Sequence, residues 1–98
     1  MKPYNARIVI LTPGKPQALS ETPRPVKTVT VAALAENTTA VHIGGPNVRA
    51  RAGEANGLPM LVTSSRPDTA TFDDVDLSQI WIDAITASEG ISFLAWEL

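Results

Sequence analysis

The sequence predicts an all-β protein: a small antiparallel β-sandwich, jelly roll or barrel of about six to eight short strands. Three observations predict it. No stretch sustains a helical apolar period over the ~10–12 residues that a helix needs. Short apolar runs alternate with turn-forming stretches rich in proline and glycine. One segment, "VKTVTVAAL", alternates cleanly with a period of two, the signature of a half-buried strand.

Taken in order, "ARIVILTPGKP" predicts a strand over Arg7–Leu11, apolar on both faces and stopped by Pro13-Gly14. Residues 13–25 carry repeated prolines among polar residues and are expected to form a surface loop or extended arm. In Val26–Leu34, Val29, Val31 and Ala33 point one way and Thr28, Thr30 and Ala32 the other. "ENTT" turns the chain, and Ala40–Gly44 follows with Val41 and Ile43 inward, so these two strands are expected to pair as a hairpin. A long connection ends at Asn56-Gly57, a dipeptide that favours a type I′ turn.

"LPMLVT" is a short strand or edge segment with Pro59 tolerated at its margin, and "SSRPDT" is a turn. "ATFDD" is a strand with Ala70 and Phe72 inward, and "DLSQ" opens a single 3₁₀ turn capped by Asp76. Ile80–Ile85 and Ile91–Leu98 are the strongest strands, joined as a hairpin by "TASEG" with Gly90 free to take positive φ. The last strand places Ile91, Phe93 and Ala95 on one face and Ser92, Leu94 and Trp96 on the other.

The totals bound the function. Ninety-eight residues fit a single β domain over 1–98. A net charge of −2 and a pI near 5.2 give no basic face for nucleic acid. The apolar run Ile8–Leu11 is far short of the ~20 residues that span a bilayer, and "MKPYNARIVILTPG" lacks a secretory pattern. Neither a nucleic-acid nor a membrane partner is expected, and the chain is expected to be made in a cytoplasm without an export signal. With no cysteine there are no disulfides or thiolate metal sites, and one histidine leaves zinc dependent on carboxylates.

No chemistry-bearing motif emerges. Gly44-Gly45-Pro46-Asn47 has neither Walker nor dinucleotide spacing and no following helix, so it reads as a strand exit. His42 points away from the inward Val41 and Ile43 and lacks a nucleophile partner in sequence. Asp73, Asp74 and Asp76 lack the glycine and distal glutamate of a calcium loop. Asn37-Thr38-Thr39 is a glycosylation sequon, meaningful only in a secretory context. Neither a catalytic residue, a cofactor nor a metal is expected.

What remains are contact candidates. Arg49, Arg51 and Arg66 fall in loops, where they could pair with acidic patches on a neighbouring subunit or keep the loops solvated. Trp81 and Trp96, on strands expected to be adjacent, are core, subunit-interface or sugar-stacking residues.

The order "VHIGGPNV", "NGLPM", "FDDVDLSQIWIDA", "ISFLAWE" resembles small structural virion proteins of tailed bacteriophages. The likeness covers Val41 to Glu97, with Pro46 and a longer "RARAGEA" segment departing from the usual pattern. It implies a non-enzymatic virion component, foremost a capsid decoration or cement protein, alternatively a tail or head-to-tail protein. It also implies a homo-oligomer, a trimer being favoured, with major capsid or tail proteins as partners. A carbohydrate-binding β-sandwich using Trp81 or Trp96 is the competing expectation.

Overall fold

Val29, Val31 and Ala33 on one side and Val41, Ile43 and Ile82 on the other belong to one apolar core, each at most 3% exposed. The structure is a computed structural model that describes residues 2–63 and 66–98. Its strands are β1 (Pro3–Val9), β2 (Gln17–Ala18), β3 (Pro25–Ala33), β4 (Val41–Gly44) and β5 (Leu58–Met60). They continue with β6 (Val62–Thr63), β7 (Arg66–Pro67), β8 (Thr69–Asp76), β9 (Trp81–Ala84) and β10 (Gly90–Glu97). The protein is all-β and antiparallel, as its alternation predicts.

Two four-stranded sheets contribute to that core: sheet A in the order β1-β10-β3-β8, and sheet B in the order β2-β9-β4-β5. A two-stranded ribbon, β6-β7, stands apart from both. Chain neighbours are therefore seldom sheet neighbours. The expected hairpin of Val26–Leu34 with Ala40–Gly44 does not form: β3 pairs with β10 and β8, and β4 pairs with β5 and β9. The same holds for Ile80–Ile85 and Ile91–Leu98, where Ala84 leaves sheet B and Gly90 enters sheet A. Alternation fixes which face of a strand is inward, and two strands in facing sheets satisfy it as well as two in a hairpin.

Several local expectations change with this topology. β1 spans Pro3–Val9, earlier than Arg7–Leu11, and it is a sheet edge with alternating exposure. Within 13–25, Gln17-Ala18 add a short edge strand to β9, and Leu19 is buried at 2%. Pro25 already belongs to β3. Gly57 has φ +80 but Asn56 does not have positive φ, so the type I′ turn is absent. The turn expected over "SSRPDT", residues 64–69, lies partly outside the described residues; Arg66, expected in a loop, opens β7, and Thr69 opens β8.

Gly90 is not the positive-φ residue of its loop; Ser88, with φ 70, is. Glycine is needed at 90 for space. A Cβ there would collide with the Ile8 carbonyl oxygen and sit 2.7 Å from Val9 Cα.

Other expectations hold. Asp76 caps the 3₁₀ turn Leu77–Gln79, its carboxylate accepting from Ser78 N at 2.9 Å and Ser78 Oγ at 2.7 Å. It also accepts from Arg24 N at 2.9 Å. The Arg24 amide, then the Ser78 hydroxyl and amide, hold its carboxyl below the usual aspartate range. Pro59 sits on the edge strand β5, and Gly45–Val48 close a turn through Val48 N to Gly45 O at 3.0 Å.

Candidate assembly surface

Sheet A turns one face to the core and the other outward, and its register arranges the outward residues in three rows. One row runs Pro3, Trp96, Thr28, Asp73 across the four strands. The next runs Asn5, Leu94, Thr30, Thr71, and the third Arg7, Ser92, Ala32, Thr69. Of these twelve positions only Arg7 and Asp73 are charged, and they occupy diagonally opposite corners.

Leu94, at 45% exposure, stands near the middle of β10 on this face and Trp96, at 40%, near its end. A shallow groove runs beside Leu94 between Asn5, Arg7, Thr30 and Ala32. Thr30 and Thr71 hydroxyls meet at 3.1 Å across strands. Pro3, Ala32, Leu94 and Trp96 are the apolar members of the face, and five hydroxyls and the Asn5 amide its uncharged polar ones.

Charges gather at its rim. Arg7 Nη2 donates to Glu36 Oε1 at 2.6 Å, and Lys27 Nζ to Asp74 Oδ1 at 3.0 Å. Glu36's own backbone amide, then Arg7, hold the Glu36 carboxyl below its ordinary range. Asp73 has no ion-pair partner or side-chain hydrogen bond among the described residues.

The five contact candidates do not converge here. Only Trp96 lies on this face. Trp81 is half-buried in sheet B, beside a cleft formed with Gln17, Ser20, Glu21 and Ser78, so the two indoles share no platform. Arg49 is turned to its own loop, Nη1 donating to Val48 O at 2.8 Å. Arg51 is exposed and lies 3.7 Å from Glu54, and Arg66 is exposed on β7. Sequence reasoning placed Leu94 and Trp96 on one face of the last strand without deciding which face is outward; the structure turns that face outward. Sequence reasoning missed Arg7, Thr30, Thr71 and Asp73 as their neighbours, because that needs the strand order.

On sheet B, Asp83 is 1% exposed and serves structure: Oδ1 accepts from Gly14 N at 3.1 Å and Oδ2 from Ala50 N at 2.9 Å. Its carboxylate ties the 13–14 and 48–51 loops over the sheet. His42 is its register neighbour and is half-buried, with a buried Nδ1 that finds no hydrogen-bond partner among the described residues. Among the described residues no three His, Cys, Asp or Glu side chains converge as a metal would require.

The sequon asparagine is also structural. Asn37 is 9% exposed and hydrogen-bonded through its side chain to Gly90, which removes it from reach of a glycosyl transfer. No known family, characterised protein or solved structure matches this chain.

Proposed function

We propose that this chain is a non-enzymatic structural protein that acts as a homo-oligomer in the virion of a tailed bacteriophage, foremost as a capsid decoration or cement protein. The observation that carries the assembly part is the outward face of sheet A, where ten of twelve positions are uncharged and Leu94 and Trp96 are exposed. Pro3, Ala32, Leu94 and Trp96 supply apolar contact when another protein surface covers this face, and the hydroxyls and amide among them supply hydrogen bonds to it. The ordered resemblance of Val41–Glu97 to phage virion proteins supports the place of that assembly. Major capsid proteins are the proposed partners, with tail or head-to-tail proteins as the alternative.

Light scattering to count subunits, joined to co-sedimentation with assembled phage heads and tails and imaging of the sedimented particles, tests the proposal. Oligomers that decorate heads are expected. A strict monomer that binds neither heads nor tails overturns it.

One observation favours a second reading, a carbohydrate-binding module. Trp81 lines an open cleft beside Gln17, Ser20, Glu21 and Ser78, an apolar ring edged by hydrogen-bonding groups. Glycan-array binding that disappears in a folded Trp81→Ala variant supports that reading.

A further inference from the structure

We infer that two copies of this chain pack face to face through sheet A, with their strands crossed at nearly a right angle about a two-fold axis. The inference deepens the homo-oligomer reading and rests on it, and names the contact.

The geometry follows from the register. Four strands spaced about 4.8 Å apart place the β1 and β8 positions about 14 Å apart across the sheet. Along a strand, the first and third rows are four residues apart, again about 14 Å at ~3.4 Å per residue. The twelve positions thus form a near-square, with Arg7 and Asp73 at the ends of one diagonal. A two-fold axis along the other diagonal, from Pro3 to Thr69, exchanges those corners. Arg7 of each copy then faces Asp73 of the other, twice over. In a square, that operation also turns strands through a right angle, the geometry of orthogonal sheet packing.

The same operation places Leu94 close to the axis, against its own counterpart, and sets Trp96 over Pro3 and Asn5 of the other copy. Twelve half-exposed residues cover about 500 Å² per copy, or about 1,000 Å² in total, the lower bound for a specific interface. The charges suit it. Lys27 and Asp74 neutralise one another beside Asp73, leaving that corner negative. Arg7 already holds Glu36, but a guanidinium carries five N–H donors and can serve both carboxylates.

Sedimentation equilibrium on the wild type and on Arg7→Asp and Asp73→Arg variants tests the arrangement, with circular dichroism to establish that each is folded. The wild type is expected to be a dimer. Each variant alone puts like charges in both corner contacts, and self-association is expected to weaken roughly ten-fold or more. Mixing the two variants in equal amounts restores opposite charges at both corners, so a mixed dimer is expected to form. Glu36→Gln frees Arg7 and is expected to tighten the dimer.

The chain has no cysteine, so a Leu94→Cys variant reports the axis directly, through a dimer cross-linked by a short bis-maleimide that spans the ~10 Å between packed sheets. A three-fold oligomer without that cross-link overturns the inference, as does a folded pair of variants that stays monomeric when mixed. A wild-type monomer that still coats phage heads overturns this contact and leaves the virion reading standing. A dimer that binds no head or tail does the reverse.

Discussion

Asn37 holds the backbone of Gly90 with both atoms of its side-chain amide. Nδ2 donates to Gly90 O at 2.8 Å, and Gly90 N donates to Oδ1 at 3.2 Å. The residues are fifty-three positions apart, and the bond pair joins the 34–40 crossing to the start of β10. Asn37→Ala removes both bonds and leaves the buried Gly90 N–H short of a partner, while Gly90 O keeps its bond from Leu34 N at 3.1 Å. A loss of about 1–3 kcal/mol is expected, seen as a melting temperature lower by roughly 4–8 °C for each kcal/mol.

Glu89 lies next to that latch, 7% exposed, with no ion-pair partner among the described residues. Burial pushes its carboxyl pKa up, but hydrogen bonds from the Thr39 and Thr38 hydroxyls, then from their backbone amides, outweigh burial and hold it below the ordinary value of 4.5. A depressed native pKa means stability present above about pH 4.5 and lost as pH falls through the native value. Glu89→Gln is expected to destabilise the protein at neutral pH by about 1–3 kcal/mol. Urea unfolding across pH is expected to show the gap between wild type and variant narrowing below pH 4.5.

Gly90 and Gly14 separate two reasons for a glycine. At Gly90 a methyl group meets the Ile8 carbonyl and the Val9 backbone, neither of which can yield without parting β1 from β10. Gly90→Ala is expected to abolish cooperative unfolding or to cost more than about 4 kcal/mol. At Gly14 there is open space but φ is +88, so Gly14→Ala costs only the backbone penalty of about 1–2 kcal/mol. Calorimetry of the two variants side by side tests the contrast.

Asp83→Asn keeps the shape of the side chain and turns one of its two acceptors into a donor facing a backbone N–H. The expected loss is about 1–3 kcal/mol. The loops it holds should open before the rest of the domain does. Trypsin is expected to cut the variant at Arg49 and Arg51 faster than the wild type, with the far-UV spectrum unchanged.

These positions mark the boundary of what the sequence makes legible. Val29, Val31, Val41 and Ile43 declare their shared faces by alternation, and the structure buries all four. Alternation groups Ile91 with Phe93 but does not say which side of the last strand is inward, and the structure buries both. Asp76 announces its cap by a local pattern, because the Ser78 amide it serves lies two residues on, whereas its bond from Arg24 N spans fifty-two positions and is not legible. Asn37 and Glu89 sit in polar, turn-like stretches and Asp83 is a lone charge in an apolar strand; each is buried against a segment at least 33 residues away. Strand adjacency is long-range in the same sense. The grid on sheet A became readable only when Arg7, Ser92, Ala32 and Thr69 were brought into one row.

The strand order of sheet A has a consequence for synthesis on the ribosome. β10, the last strand, is an interior member of the sheet, hydrogen-bonded to β1 on one side and β3 on the other. A nascent chain that has already extruded β1, β3 and β8 still lacks the strand that joins the first of these to the rest. Closure of sheet A must therefore wait until residues 90–97 have emerged, and it then draws together segments from opposite ends of the chain. Until that moment the edges of β1 and β3 are unpaired, so the interval between emergence and closure is when this protein is most exposed to aggregation and to chaperones.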